Sequence, residues 1–535
     1  MRNRLQPWRL AAWLAVSAAA IATVPVLAAD SRARVLAGNT LVLACSTATL
    51  SLLCGAPLAF LLTRTDVFGR RLAGVTLLAL LFTPLYLQAA GWQAGFGSQG
   101  WYTIAFGGPA LVDGWRGAIL IHTLAAVPWV VLIVAVGLRL SEPELEEEAL
   151  LDGTPGQVFR RVTLSRTREA LVAAWLWVAV TTAGEMTVTD LFLIRTYAEE
   201  IYIEFALGDT LGGATWRLLP SIAAAAWVIA AGLVIASAAI APDRHPSDRL
   251  AGTFRLRRWR GAASAFVLGS VGLLLLVPAA NLALKAGRTV TRSGDAFVRG
   301  WSAAQCLDMV AGSPLRFARE FGWTLCVGAV AATAAVLIGL PLAWSARRGG
   351  WHAVPAWVAV ALCLALPGPL IGLGLIALFN AAPWSWLAWL YDRSIVPICA
   401  AQTIRALPCA TLVLWFALRT FPTDLLASAT LEGATPLVRF VRIVLPARKT
   451  ALAAAWIAAL AMASGELDAS ILVVPPGVNT LPIHIFGLIH YGVDDQVAGV
   501  ALLVMLVFLA LAAAISLAAQ RAERISARDH RSALR

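Results

Sequence analysis

Blocks of about 18–25 predominantly apolar residues recur along this chain, the length a helix needs to cross roughly 30 Å of hydrocarbon. A chain built this way has few choices: the spanning segments must satisfy their own backbone groups, so they are helices. Composition agrees. Of 535 residues, 59% are hydrophobic and only 13% are charged, and the mean hydropathy is +0.77. A soluble protein of this length needs far more surface charge. The net charge of +12 does not make it a nucleic-acid binder. Its basic residues punctuate the apolar blocks instead of gathering on one face. The seven cysteines have no CxxC spacing and lie mostly inside apolar blocks, so they read as packing residues, not as a metal site or disulfide framework.

The apolar pattern predicts helices near 9–29, 39–62, 72–92, 117–138, 169–193 and 218–241, then 261–283, 321–345, 353–380, 397–419, 451–474 and 497–519. The fold expected is an all-α membrane protein of about twelve spans. Short loops rich in arginine fall on one side: Arg64, Arg70 and Arg71; Arg160, Arg161, Arg166 and Arg168; Arg255, Arg257, Arg258 and Arg260; Arg347 and Arg348; Arg439, Arg442, Arg448 and Lys449. The positive-inside rule makes that side cytoplasmic, with both termini inside. Lys285, Arg288, Arg292 and Arg299 break the rule in the segment 284–320, the longest external loop. The first block is read as a retained span; Val26-Leu27-Ala28 would suit cleavage of a signal peptide.

The chain repeats itself. Thr40-Leu41 and Gly55-Ala56-Pro57-Leu58-Ala59 match Thr324-Leu325 and Gly339-Leu340-Pro341-Leu342-Ala343. Pro155 to Leu191 matches Pro436 to Leu472, pairing Phe159 with Phe440, Arg161 with Arg442, Trp175 with Trp456, and Gly184-Glu185 with Gly465-Glu466. Both copies run in the same direction from the same side, so they are parallel six-span repeats related by an axis along the membrane normal. The expected units are 1–241 and 261–535, joined by a polar, basic cytoplasmic linker over 242–260. A path between two such halves is the natural functional reading.

One loop recurs between the fourth and fifth spans of each copy, over 139–168 and 420–450. Each opens at a proline, Pro143 or Pro422, that suits a helix start. A short helix follows, with Leu145/Ala149 or Leu425/Ala429 at i,i+4 spacing. Gly153 or Gly433 ends it, because glycine accepts the left-handed conformation of a helix stop. Two short helices on the arginine-rich side read as docking elements for a cytoplasmic partner.

This loop resembles the EAA loop of ATP-binding-cassette (ABC) importer permeases: Glu-Ala-Ala, three residues, Gly, about nine residues, then Ile-x-Leu-Pro. Glu147, Ala149, Gly153, Val162 and Leu164 match it in the first copy; Ala429, Gly433, Ile443, Leu445 and Pro446 match it in the second. Ala427 stands where the motif has Glu, Ser165 where it has Pro, and the first copy is one residue shorter after its glycine. The resemblance implies a type I permease fold in a bacterial inner membrane. It also implies a separate cytoplasmic ATPase, in two copies, that uses the ATP, and an extracytoplasmic solute-binding protein. Two units fused in one chain look most like ferric-iron importer permeases, then thiamine importer permeases. The chain itself is expected to bind no cofactor, metal or nucleic acid and to be no enzyme. Its only lysines, Lys285 and Lys449, follow Leu284 and Arg448, so it has no Walker A loop.

For the path, Glu185 and Glu466 stand at equivalent positions, each after a glycine in the fifth span of its copy. Carboxylates at membrane depth either line a path or hold a helix break through backbone hydrogen bonds; both readings stand. The family's Gly-Glu occurs in importers of oxyanions too, so these acids do not set the substrate's sign. Asp190 and Asp468 lie nearby but are not equivalent. Pro84 and Pro367 are expected to kink the third span of each copy. Arg405 reads as a snorkelling side chain. Two alternatives remain. A major-facilitator transporter also has two parallel halves, and Arg64 to Arg71 distantly resembles its loop motif, but that fold does not predict the repeated loop. A membrane enzyme would need a polar catalytic cluster, and the sequence offers none.

Overall fold

A computed structural model of the chain describes residues 31–139, 143–207, 254–293, 296–381, 385–491 and 494–533, with a few positions between 222 and 233. The span expected at 9–29, nearly all of that at 218–241, and the linker up to residue 253 lie outside the described residues. The described chain is an all-α membrane protein. Six helices are long and apolar enough to cross a bilayer: Ser31–Arg64, Gly114–Arg139, Arg257–Ala286, Ala318–Ala346, Val396–Arg419 and Asp495–Leu517. Three bent helix pairs raise the candidate spans to nine among the described residues.

The breaks are where the sequence places its special residues. Arg70–Phe82 and Leu85–Phe106 meet at 105°, and Gly350–Ala365 and Gly368–Phe379 meet at 106°. The hinges are Pro84 and Pro367, both extended, with ψ of 144° and 146°. A proline forces its predecessor out of the helical region, and Thr83 and Leu366 both have ψ 120°. The expected kinks are therefore full breaks.

The fifth span of each copy departs further from expectation. The helix expected over 169–193 runs Leu164–Ala183 and stops at Gly184. The one expected over 451–474 runs Lys449–Ser464 and stops at Gly465. Hydropathy continues past both glycines, so a reading by apolar length carries the helix too far.

The chain divides into two compact units. One comprises residues 1–52, 136–251 and 319–484; the other comprises 53–135, 252–318 and 485–535. In the first unit, Val396–Arg419 packs on Lys449–Ser464 through small side chains, with Ala406 and Ala410 meeting Ala459 and Ala463 beside Ala331, Ala332 and Ala335. Small residues let membrane helices approach closely, which is the main source of packing energy in lipid. At one end of these helices Trp357 and Trp415 stack edge to face at 5.1 Å.

In the second unit, Arg260–Ala286 packs against Arg70–Phe82, Leu85–Phe96 and Asp494–Ala533. Gly91 and Gly95 make room for it. A Cβ on Gly91 would lie 2.8 Å from Pro278, and one on Gly95 2.3 Å from Asn281. Asn281 donates to the Gly91 carbonyl at 3.1 Å and accepts from Trp101 Nε1 at 2.9 Å. The segment 284–320, expected as a plain loop, contains an antiparallel hairpin, Arg288–Ser293 with Ala296–Trp301. The short helix Ala303–Ala311 follows, capped by Ser302. Thr-Val-Thr in the first strand supplies the β-branched residues a strand favours.

Candidate functional site

The two expected docking loops both lie in the first unit and share one plan. Helix Pro143–Asp152 is followed by Pro155–Val158, a π turn at Phe159–Thr163 and helix Leu164–Ala183. Helix Thr423–Leu431 is followed by Pro436–Arg439, a π turn at Phe440–Val444 and helix Lys449–Ser464 after a 74° bend. The bend is absent from the first copy, where Leu164 runs on unbroken. Pro446 in the second copy and Ser165 in the first account for the difference.

The helix stops differ too. Gly433 takes φ +79°, and Ala434 donates to the Ala429 carbonyl at 3.0 Å, closing the last turn. Gly153 is not in the left-handed region, contrary to the expectation from its sequence. There the first loop, one residue shorter, turns through Thr154, whose N–H donates to Gln157 Oε1 at 3.1 Å.

The buried face is not the one the motif suggests. Glu147 is exposed, as is Ala427 at the same place in the second copy. Glu146, one residue earlier, is 2% exposed and accepts a hydrogen bond from Thr163 Oγ1 at 2.9 Å. In the second copy the matching positions hold Leu426 and Val444, and Leu426 packs on the apolar cluster containing Val444. Ala149 is half-buried and Ala429 is buried, while Leu425 is exposed, so the face shared by Leu425 and Ala429 at i,i+4 is not buried as a unit. Val162, Ile443 and Leu445 are half-buried; Leu164, Gly433 and Pro446 are exposed. Each docking helix presents one leucine near its end: Leu151 is 85% exposed and Leu431 is 91% exposed. They occupy matching positions.

The repeat reappears as matching hydrogen bonds. Trp175 Nε1 donates to Thr49 at 3.2 Å, and Trp456 Nε1 to Thr333 at 3.0 Å. Thr40 accepts from the backbone of Tyr197 at 3.1 Å, and Thr324 from that of Leu481 at 2.8 Å. The helix breaks match as well. Glu185 accepts from the N–H of Val188 at 3.1 Å, and Glu466 from that of Ala469 at 2.7 Å. Glu466 also accepts from the Ser470 N–H at 3.1 Å and from its hydroxyl. Of the two readings left open by the sequence, the backbone-holding geometry is the one observed. Each carboxylate satisfies N–H groups that the broken helix exposes.

Three breaks converge in the first unit. The Gly368 N–H, just after the Pro367 hinge, donates to the Gly184 carbonyl at 3.4 Å. A Cβ on Gly368 would lie 2.2 Å from that of Asp468. Asp468 reaches across to the other copy, accepting from Thr187 Oγ1 at 2.7 Å and from the Met186 N–H at 3.3 Å. Arg405, half-buried, lies within electrostatic reach of Glu466 and Asp468; the sequence suggested a snorkelling side chain. Pro84 belongs to the second unit. Among the described residues, no three His, Cys, Asp or Glu side chains are placed to hold a metal ion.

No family profile matches the chain. It is 29% identical over 186 residues to the putrescine transport system permease protein of Escherichia coli K12, which covers 34% of this chain and 66% of that protein. It is 28% identical over 192 residues to a permease protein assigned to a 2-aminoethylphosphonate transport system in Salmonella typhimurium, 35% of this chain and 69% of that protein. The chain thus spans just under two thirds of the length of the putrescine permease. These relatives bear out the resemblance to ABC importer permeases drawn from the docking-loop motif. They are transport permeases, not enzymes, and neither is a ferric-iron permease.

Proposed function

We propose that this chain is the membrane permease of an ATP-driven importer, forming the translocation path and docking a separate cytoplasmic ATPase. The observation that carries the reading is the pair of matching docking helices, Pro143–Asp152 and Thr423–Leu431, each with a strongly exposed leucine at a matching place near its end and each leading through a π turn into a fifth-span helix. An apolar side chain left in water at matching places in both copies is what a grooved partner surface takes up. A short helix and a π turn link each docking helix to a helix that ends at the convergent breaks, so movement of the partner can reach the path. Two copies imply two ATPase subunits, which hold and hydrolyse the ATP. The orientation that follows puts both docking loops and both chain termini in the cytoplasm of a bacterial inner membrane, with a solute-binding protein on the other face.

For the substrate, the ferric-iron reading rests on the fusion of two units in one chain, as does thiamine behind it. Both relatives carry the name of a small organic solute with a primary amine, and an amine-bearing solute is the reading favoured here. The test is uptake into proteoliposomes containing this chain with the ATPase and binding protein encoded beside it. ATP-dependent accumulation of radiolabelled putrescine or 2-aminoethylphosphonate supports the reading. Accumulation of ferric iron instead, with neither amine, overturns the substrate assignment and leaves the permease reading intact.

A further inference from the structure

The register that pairs Gly184-Glu185 with Gly465-Glu466 also pairs Thr187 with Asp468. These two side chains are therefore repeat mates, and they hydrogen-bond to each other at 2.7 Å. In a structure with twofold symmetry, a residue touches its own mate only at the axis, because the midpoint of any mated pair lies on it. The copies here are parallel, so their axis runs along the membrane normal. That axis is also the line along which a path between the copies must run.

We infer that Thr187 and Asp468 meet on the pseudo-twofold axis, where their hydrogen bond closes the path, and that Asp468 selects solutes carrying a positively charged hydrogen-bond donor. The inference rests on reading the chain as a permease whose path runs between its copies. The two mates differ in chemistry, and the difference sets the selection. Asp468 is buried with Arg405 within electrostatic reach, and its two oxygens accept hydrogen bonds from neutral donors only, the Thr187 hydroxyl and the Met186 N–H. A solute that opens the pair takes the hydroxyl's place. Unless it supplies a donor of its own, it leaves a buried carboxylate poorly paired. A primary ammonium or guanidinium supplies both donor and charge; an anion adds repulsion. Glu466 is held at its own helix break; Glu185, held by the Val188 N–H, stands beside the pair and adds to the negative field there. Gly368 is kept free of a side chain at the same point, since a Cβ there would overlap Asp468.

Two experiments on the full chain test this. The first exchanges the mates. On an axis the exchange is geometrically neutral, so T187D/D468T keeps one acid and one hydroxyl in contact. T187D alone sets two acids face to face, and D468T alone removes the acid. The expected result is that each single substitution lowers the thermal midpoint of the purified chain and the exchange restores most of the loss, as coupled contacts do. An exchange no more stable than the worse single variant overturns the axial placement. The second reads charge selection without knowing the solute. Thr187→Cys is placed in a chain whose seven native cysteines are serine and is labelled in membrane vesicles, from both faces. The probes are a cationic trimethylammonium-ethyl and an anionic sulfonatoethyl methanethiosulfonate, with rates corrected for their reactivity toward a free thiol. With Asp468 the cation is expected to react about 10-fold faster, and Asp468→Asn should lower that ratio several-fold. A corrected ratio near 1 with Asp468 in place overturns the selection. Neither readout depends on an ATPase being present, so failure here is distinguishable from failure of the permease reading.

Discussion

Thr163 donates its hydroxyl to Glu146 at 2.9 Å inside the first docking loop, and the second loop fills the matching positions with Val444 and Leu426. The two copies thus solve one packing problem in two ways, a buried polar pair and an apolar pair. Exchanging one member leaves a buried polar group short of a partner, which costs about 1–3 kcal/mol. Glu146→Leu and Thr163→Val are each expected to destabilise the chain by that amount, while the double variant recovers most of it. Thermal unfolding of the detergent-purified chain measures all three. A double variant as unstable as the sum of the singles contradicts the pairing.

The helix stops should tolerate side chains unequally. Gly433 has φ +79° and Gly153 does not lie in that region. A side chain in the left-handed conformation costs about 1–2 kcal/mol. Gly433→Ala is therefore expected to weaken ATPase co-purification and uncouple ATP hydrolysis from uptake. Gly153→Ala should have the smaller effect, limited to a contact near 3.2 Å with the Ala149 carbonyl. Hydrolysis and uptake measured side by side distinguish the two variants.

Close approach at the convergent breaks gives a third expectation. A Cβ on Gly368 would lie 2.2 Å from Asp468 Cβ and 3.0 Å from its carbonyl carbon, whereas one on Gly374 meets nothing within 4 Å. Overpacking of this kind costs about 1–3 kcal/mol. Gly368→Ala should lower both the yield of folded protein and its thermal midpoint, with Gly374→Ala near wild type in both. Equal behaviour of the two variants would contradict the close contact.

Much of this was legible in the sequence because the repeat keeps side chains that bond to each other. Trp175 and Trp456 stand in register, and so do the bonds they make to Thr49 and Thr333. Pro84 and Pro367 marked the hinges for the same reason, since proline acts on its own backbone. What the sequence hid was long-range or conformational. A motif counts residues, so it pointed at Glu147; the helix turns Glu146 inward instead. Hydropathy carried the fifth spans past Gly184 and Gly465, because apolar residues beyond them are buried without continuing the same helix. The meeting of Thr187 with Asp468 joins positions far apart in the chain, and Arg405 found its acids the same way. The hairpin at 288–301 was read by its charge alone, although its threonines and valines carried a strand signal.

Beyond the fifth-span helix Leu164–Ala183, Arg195 lies 3.8 Å from Glu199 and 3.7 Å from Glu200, and Arg32, at the start of Ser31–Arg64, also pairs with Glu200. Burial pushes the Glu199 carboxyl up to about 7; Arg195 opposes the rise, while Asp190 and Glu200 add to it. A carboxyl raised in the folded state favours folding while it holds its proton. Its contribution is full below the ordinary carboxylate range and is lost as the pH rises through about 7. The thermal midpoint is expected to fall between pH 5 and pH 8, and Glu199→Gln should flatten that fall. An unchanged pH profile in the variant would show that Glu199 does not set it.

On the function proposed above, Pro143–Asp152 and Thr423–Leu431 hold a separate ATPase. The most direct measurement is co-purification of the full chain with the ATPase encoded beside it, comparing the wild type with Leu151→Asp, Leu431→Asp and the double variant. The wild type is expected to retain the ATPase, each single variant to weaken retention about 10-fold, as loss of an interface anchor does, and the double variant to abolish both retention and ATP-driven uptake. A chain that purifies alone and drives full uptake from a proton or sodium gradient in liposomes, indifferent to either leucine, would contradict that function.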